Sequence, residues 1–405
     1  MVGWCPEEGS HVQSSHRTRS KTVAVAFDLV YPQSKGGGER YYRGLAEELA
    51  RTGRDVDYLT SDQPSSEAEP QNIRLVAVSA PLRLYDEAGV RRWQAAVHYT
   101  WGLFRTLVRS RRSYGSVIVS STPVLNVFAA RAALLGSGTR VVVDYLEVWD
   151  RPKWIEYAGR ITGFIAWLLQ RAAIWITPAA TCHAQLTARR LRGEGYRGPL
   201  AISPGLIDGI GNPGALTAAS RPPFVLYAGR HIADKQIEFL PAAVEEVRRT
   251  IPDLELVILG RGSHTDTILE AVGDRDWVSL PGFVDEEELR HLFSTAACLA
   301  NPSRREGYGL VVVEAAAWGT PVVLVSDENN ASTELIAEGV NGFVAASTAP
   351  GALGAAIMSV LQGGEELRHR TREWYEEAVR TRTIEKTVQG ILPMLDGATR
   401  AGSSA

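Results

Sequence analysis

Arg230 and Lys235 stand five residues apart in one glycine-started loop, and Glu306 and Glu314 flank Gly307-Tyr308-Gly309 in another. A planar guanidinium fork and a flexible ammonium can both reach one diphosphate. Carboxylates suit sugar hydroxyls, and the free N–H groups at a helix start suit an anion. A nucleotide sugar needs this mixture of cations, backbone donors and carboxylates. Each charge taken singly reads as a solvated surface group. All four lie where strands end, and jointly they read as a site.

The elements that place them follow from the pattern. Apolar run Ala296 to Ala300 reads as a strand, Asn301 to Glu306 as a polar loop, and Leu310 to Trp318 as a helix stopped by Gly319-Thr320-Pro321. Phe224 to Ala228 is a strand that delivers Gly229-Arg230 and Lys235, with a helix over Ile237 to Thr250. Strand Leu254 to Leu259 leads to Gly260-Arg261-Gly262, and Val278 to Leu280 leads to Gly282-Phe283-Val284. In an α/β sheet such loops share the carboxyl edge, where ligands bind.

The first half repeats the alternation. Strand Thr22 to Phe27 runs into Gly36-Gly37-Gly38-Glu39 and a helix from Arg40 to Thr52. Asp55-Val56-Asp57 is read as a helix-to-strand connection with solvated acids, not as a metal site. Gly89 to Tyr114 is helical, with six arginines among aromatic and aliphatic residues. Such a helix can lie on a membrane surface; the reading preferred here is a packed helix with a solvated Arg face. Arg140 to Asp144 is a strand, Ile161 to Ala173 a core helix and Ile174 to Thr177 a strand. Six of the ten tryptophans fall between 93 and 175, which fits either a ring-lined cleft or ordinary packing.

These units divide the chain into a polar tail at 1–20, a first domain at 21–207, a Gly/Pro/Ala/Ser-rich linker at 208–222, a second domain at 223–365 and a returning helical segment at 366–405. The implied class is α/β, with two doubly wound parallel sheets facing across a cleft. A net charge of −3 gives no general reason to expect nucleic acid as a partner. Cys5, Cys182 and Cys298 lack metal-type spacing and read as reduced thiols, which points to the cytoplasm. The apolar stretch from Ile161 to Ala180 is broken by Gln170-Arg171 and is not read as a membrane span.

At Gly36-Gly37-Gly38-Glu39, Tyr227-Ala228-Gly229-Arg230 with Lys235, Gly282-Phe283-Val284, Pro302-Ser303 and Glu306-Gly307-Tyr308-Gly309 through Glu314-Ala315, the chain resembles the retaining glycosyltransferases of family 4, which have the GT-B fold. The likeness covers about residues 21–390 and is looser in the first half. It implies a metal-independent transfer, without a cofactor, from a nucleotide-diphosphate sugar to an acceptor such as a small molecule or an envelope glycan. Arg230, Lys235 and Glu306 would be catalytic. Gly37, Gly38, Gly229, Gly262, Phe283, Val284, Gly307, Tyr308, Gly309, Leu310 and Glu314 would complete the donor site, with Glu314 on the ribose. Leu146, Glu147 and Trp149 would face the acceptor and the sugar.

One departure stands out. Many relatives carry His where this chain has Leu146, between Tyr145 and Glu147. Leu can neither donate nor accept a hydrogen bond. This points to a donor altered near C6 or to an acceptor that is already a good nucleophile. The competing reading is a catalytically silent nucleotide-sugar binder. A sugar epimerase or phosphorylase is a third reading, opposed by the intact set of Arg230, Lys235, Glu306 and Glu314. His183 lies in a different βα connection and is not taken as a substitute.

Overall fold

A computed structural model describes residues 22–33, 36–61, 72–81, 92–207 and 215–397. The tail expected at 1–20, Ser34 and Lys35, residues 62–71, residues 82–91 with the start of the helix expected from Gly89, residues 208–214 of the linker and the last eight residues lie outside that set.

Among the described residues the first sheet has seven parallel strands: β1 (Val23–Ala26), β2 (Val56–Ser61), β3 (Ile73–Ser79), β4 (Ser116–Ser120), β5 (Arg140–Tyr145), β6 (Ala179–Cys182) and β7 (Leu200–Ile202). Their order is β3-β2-β1-β4-β5-β6-β7. The second has six parallel strands: β8 (Phe224–Ala228), β9 (Glu255–Leu259), β10 (Val278–Gly282), β11 (Cys298–Asn301), then β13 (Val322–Val325) and β15 (Gly342–Ala345), in the order β10-β9-β8-β11-β13-β15. Between the last three run two short strands, β12 (Arg305–Glu306) and β14 (Asn329–Asn330), which pair with each other. In both main sheets the strand order reverses beside the first strand, so each has a crevice at its carboxyl edge. Continuous Val, Ile and Leu runs buried on both faces explain the parallel pairing.

Helices α1 (Gly37–Arg51), α2 (Trp93–Arg109), α3 (Leu125–Ala133), α4 (Arg151–Ala158), α5 (Arg160–Ile176) and α6 (Gln185–Gly193) serve the first sheet. Helices α7 (Leu240–Arg248), α8 (Thr265–Val272), α9 (Glu286–Thr295) and α10 (Leu310–Ala317) serve the second. The helix α11 (Pro350–Thr381) is broken at Gly364, where φ is 48°. Thr383 caps the start of α12 (Ile384–Asp396). This last helix packs back on the first sheet, against α1 and β5. Thr387 donates to Gly205 O at 2.6 Å, and Arg54 pairs with Asp396 at 2.9 Å. One apolar cluster therefore runs from β1 and α1 through Tyr308 and Val312 to Ile384, Ile391 and Leu395, and fastens the two halves together.

Four local readings change. The 174–177 segment is not a strand: α5 continues through Ile176, and the strand is Ala179–Cys182. The helix expected to be core at 161–173 turns Ile161, Phe164, Ile165, Leu168 and Leu169 outward. The helix expected over 237–250 begins as a short 3-10 turn, Ile237–Phe239, before α7. Asp57 is buried rather than solvated, held by Arg74 Nε at 2.9 Å and the Tyr114 hydroxyl at 2.9 Å.

Candidate active site

After β8 the chain passes Gly229 and Arg230, makes a 3-10 turn over Ala233–Lys235, and sets Gln236 at φ 51°. That turn aims Lys235 at Glu306, which ends the loop after β11. The Lys235 ammonium pairs with Glu306 Oε1. The same oxygen accepts from Ser303 Oγ at 3.1 Å and Asn301 Nδ2 at 3.2 Å. Burial pushes the Glu306 carboxyl up, but the Lys235 charge and these hydrogen bonds hold it below the usual carboxylate range. Arg230, earlier in the loop that carries Lys235, is exposed and has no ion-pair partner among the described residues.

The loops around it interlock through glycine. A Cβ at Gly260 would sit 1.9 Å from Gly229 O, and one at Gly262 would sit 2.2 Å from His231 O. His231 is buried, bonds Thr265 Oγ1 at 3.0 Å, and has its pKa lowered by that burial. The pairing of β12 with β14 fixes Glu306 opposite Asn330, whose amide donates to Ser303 O at 2.9 Å and Val325 O at 3.0 Å. Gly309 has φ 94°, and a Cβ there would strike Ser332. Only glycine turns the chain into α10 at this point. Phe283 is exposed and Val284 half-buried at the rim of the same edge. The Tyr308 ring is buried in the core, so the turn presents this residue by its backbone.

The first half closes on this edge. A Cβ at Gly37 would touch the Leu310 side chain at 3.3 Å, and Arg40 on α1 pairs with Glu314 on α10. A Cβ at Gly307 would lie 2.9 Å from Leu146 O and 3.1 Å from Glu147 Cγ. One at Gly38 would lie 3.8 Å from the Leu146 side chain. Leu146 thus stands between the glycine-rich start of α1 and the Glu306-Gly307 turn. Glu147 accepts from Trp149 Nε1 at 2.7 Å and from Arg305 at 3.1 Å.

A charged network that sequence reasoning missed spans the cleft. Arg305 lies 4.5 Å over the Trp149 ring and pairs with Asp234 at 2.7 Å. Arg304 bonds Asp234 at 2.9 Å and Glu156 at 2.6 Å. Buried Lys153 reaches Glu156 at 3.1 Å. Burial pushes Asp234 up, and the charges of Arg305, Lys153 and Arg304 more than reverse this, so its carboxyl stays low. The only sequence signal was a pair of arginines directly before Glu306. Glu334 adds a cap across the domains, accepting from Gln185 N at 2.8 Å and Leu186 N at 2.7 Å.

His183, in the connection after β6, lies against a buried carboxylate. Adjacent strands β5 and β6 bring it within 3.1 Å of the Asp144 carboxylate through Nε2. Asp144 is fully buried and accepts from Tyr42 at 2.6 Å and from Thr181. Burial pushes it up, and His183 with these hydroxyls holds it below the usual range. His183 Nδ1 is buried without a partner among the described residues.

The comparisons agree with this architecture. Residues 36–197 match the model of the glycosyl transferase 4-like domain, and residues 212–377 match glycosyl transferases group 1. The chain is 27% identical over 357 residues to the glycogen synthase of Mycobacterium tuberculosis, covering 83% of this chain and 85% of that protein. Among solved structures it resembles sucrose-phosphate synthase from Thermosynechococcus elongatus, with TM-score 0.75, 18% identity and coverage of 93% and 100%. It also resembles Anabaena Alr3699/HepE, solved with UDP-glucose, with TM-score 0.65, 14% identity and coverage of 93% and 99%. With its two parallel sheets, its closed cleft and a glycosyl transferase domain matched in each half, the chain belongs to the GT-B glycosyltransferases.

Proposed function

We propose that this chain transfers a sugar, with retention and without a metal, from a nucleoside-diphosphate donor to an acceptor bound on the 21–207 side of the cleft. The observation that carries the proposal is the Lys235–Glu306 pair, mostly buried at the strand ends, with exposed Arg230 earlier in the loop that carries Lys235. Two cations and one ionised carboxylate at the edge of a glycine-lined turn match a diphosphate joined to a polyol. Glycosyl transfer is the activity of the family; the donor class draws support from the neighbour solved with UDP-glucose.

In this reading Arg230 and Lys235 take the diphosphate, and the backbone N–H groups at the start of α10 take its oxygens. Glu306 holds hydroxyls of the transferred sugar, and Glu314 exchanges Arg40 for the ribose. As the bond from C1 to the leaving oxygen breaks, charge grows on the diphosphate, and fixed cations there lower the barrier. The acceptor attacks C1 from the same face, and its proton passes to the leaving phosphate oxygen. Leu146 beside Gly38 and Gly307 gives the sugar's far end an apolar contact, which fits a donor altered near C6. The cytoplasm is the place for such a donor.

A thermal-shift screen of UDP, GDP and TDP, with their sugars, tests the donor site, because a ligand of the folded state raises its melting temperature by mass action. One nucleotide is expected to raise it by several degrees, and Arg230→Ala to remove the rise. A rise that survives Arg230→Ala overturns the phosphate assignment. NMR of the product's anomeric centre tests retention.

A further inference from the structure

The helix α5 is amphipathic the wrong way round for a packed helix. Its inner face carries Gly163, Gln170 and Ala173. A Cβ at Gly163 would sit 2.2 Å from Trp154 O, and Gln170 is spent on Trp149 N at 3.1 Å and Trp149 O at 2.6 Å. Those contacts fix the rotation of the helix. Its outer face then carries Ile161, Phe164, Ile165, Leu168 and Trp175, a stripe at helical spacing. Ile161 is 78% exposed and Trp175 84%. The stripe runs the length of a 17-residue helix, about 25 Å. Contiguous apolar surface of this extent marks a docking face.

The charge around it is mostly positive; the acid that touches the helix is Glu194, which accepts from Trp167 Nε1 at 3.2 Å. No Asp or Glu occurs between Glu87 and Asp144, nor between Glu156 and Glu194. Of the arginines in those stretches, Arg160 and Arg171 are exposed on α5 itself, whereas Arg140 turns to Leu395 O and Arg189 and Arg190 turn to the second domain. Arg151 stacks over Phe164 at 5.3 Å, and Arg171 over Trp167 at 5.5 Å. Arg151 and Arg160 also line a crevice of about 350 Å³ with Ile155 and Phe164. In the same helical layer α3 packs on α5 and α2 packs on α3. There α2 exposes Trp93, Val97, Trp101 and Val108.

We propose that this layer, centred on α5, is the face by which the protein docks on an anionic lipid bilayer. The apolar stripe enters the boundary between headgroups and acyl chains, and the arginines meet lipid phosphates. A second copy is the poorer occupant. A two-fold dimer would press this face against itself and set arginines mostly against arginines, since Glu194 is tied to Trp167 and Glu156 to Lys153 and Arg304. Lying on the surface is all that is required; among the described residues no helix is long and apolar enough to cross a membrane.

The test is co-sedimentation of the full chain with extruded vesicles of phosphatidylcholine alone or mixed equally with phosphatidylglycerol. The protein is expected to pellet with the mixed vesicles, and less so as salt rises. Ile165→Glu with Leu168→Glu is expected to weaken binding about tenfold or more. Arg160→Glu with Arg171→Glu is expected to remove the preference for the anionic vesicles. All four positions are exposed, so melting temperature is expected to hold and serves as the folding control. Wild type left in the supernatant overturns the proposal. So does an Ile165→Glu/Leu168→Glu protein that pellets like wild type. A dimer in solution that this pair of substitutions dissociates, with vesicle binding unchanged, assigns the face to a second copy instead and overturns it as well.

Discussion

At the carboxyl edge of the first sheet, Asp144 is enclosed by Tyr42, Thr181 and His183; at the matching edge of the second, Glu306 is enclosed by Lys235, Asn301 and Ser303. Both carboxyls are buried, and both are held low by a basic partner and hydrogen bonds. The surroundings differ. The Asp144 and His183 side chains are about 0% and 1% exposed, and Tyr41 meets the His183 ring at 4.5 Å. Lys235 and Glu306 keep 18% and 15% of their side-chain surface, with Arg230 exposed earlier in the Lys235 loop. One fold edge can therefore be sealed into a pin or left open to the cleft. The deciding factor is what lies above the carboxylate: aromatic rings over Asp144, glycine-lined turns around Glu306.

The sharpest way to separate the two is to remove the open cation. Lys235→Ala is expected to lower kcat/KM by roughly 100- to 1,000-fold, the usual cost of losing one preorganised charge in a transition state. Steady-state transfer assays check it, with circular dichroism as the folding control. A fall below tenfold would place Lys235 off the reaction path.

Breaking the sealed device should do the opposite. Asp144→Asn is expected to lower unfolding free energy at pH 7 by about 1–3 kcal/mol, because Tyr42, Thr181 and His183 lose their charged acceptor. Nucleotide affinity should not change. The folded carboxyl titrates below its ordinary value of about 4, so its contribution is complete above that pH and fades as pH falls through the folded value. Urea melts of both proteins at pH 7 and pH 3 should show the gap narrowing in acid. A gap that is constant with pH would mean that the charge of Asp144 does not matter.

The smallest effect is expected at the seam between the two edges. Leu146→His offers one hydrogen bond to the sugar, worth roughly 0.5–1.5 kcal/mol, or about 2- to 10-fold in rate. Competition between hexose donors with and without a 6-hydroxyl measures it. Equal response to both donors would put Leu146 away from the sugar's C6.

Much of the fold was legible in the chain, for a simple reason. Parallel strands buried on both faces must be continuous apolar runs, and the glycine-rich turns after them punctuate the pattern. Phe224 to Ala228 was read as a strand and is one, and so was the start of α10 at Leu310. The pairing of Lys235 with Glu306 was half legible: the two loops were placed at one edge, but nothing in the chain said that these side chains meet. The reading failed where helix and strand signals overlap. Ile174-Trp175-Ile176 is β-branched and aromatic, the composition of a strand, yet it completes the last turn of α5. Tertiary packing of Ala173 and Ile174 outweighed that local preference.

The sequence alone determined two alternating βα halves, the loops that carry Arg230, Lys235, Glu306 and Glu314, and the absence of His at position 146. Those are local properties, set by periodicity and residue type. Tertiary structure decided which way α5 faces, since a hydrophobic period states that a helix has an apolar side but not which side meets the sheet. It alone joined Arg40 to Glu314, Arg305 to Glu147 and Asp234, and His183 to Asp144. Such contacts span from dozens to hundreds of residues, and they exist only once both sheets and the closing helix α12 have fixed the distance between them.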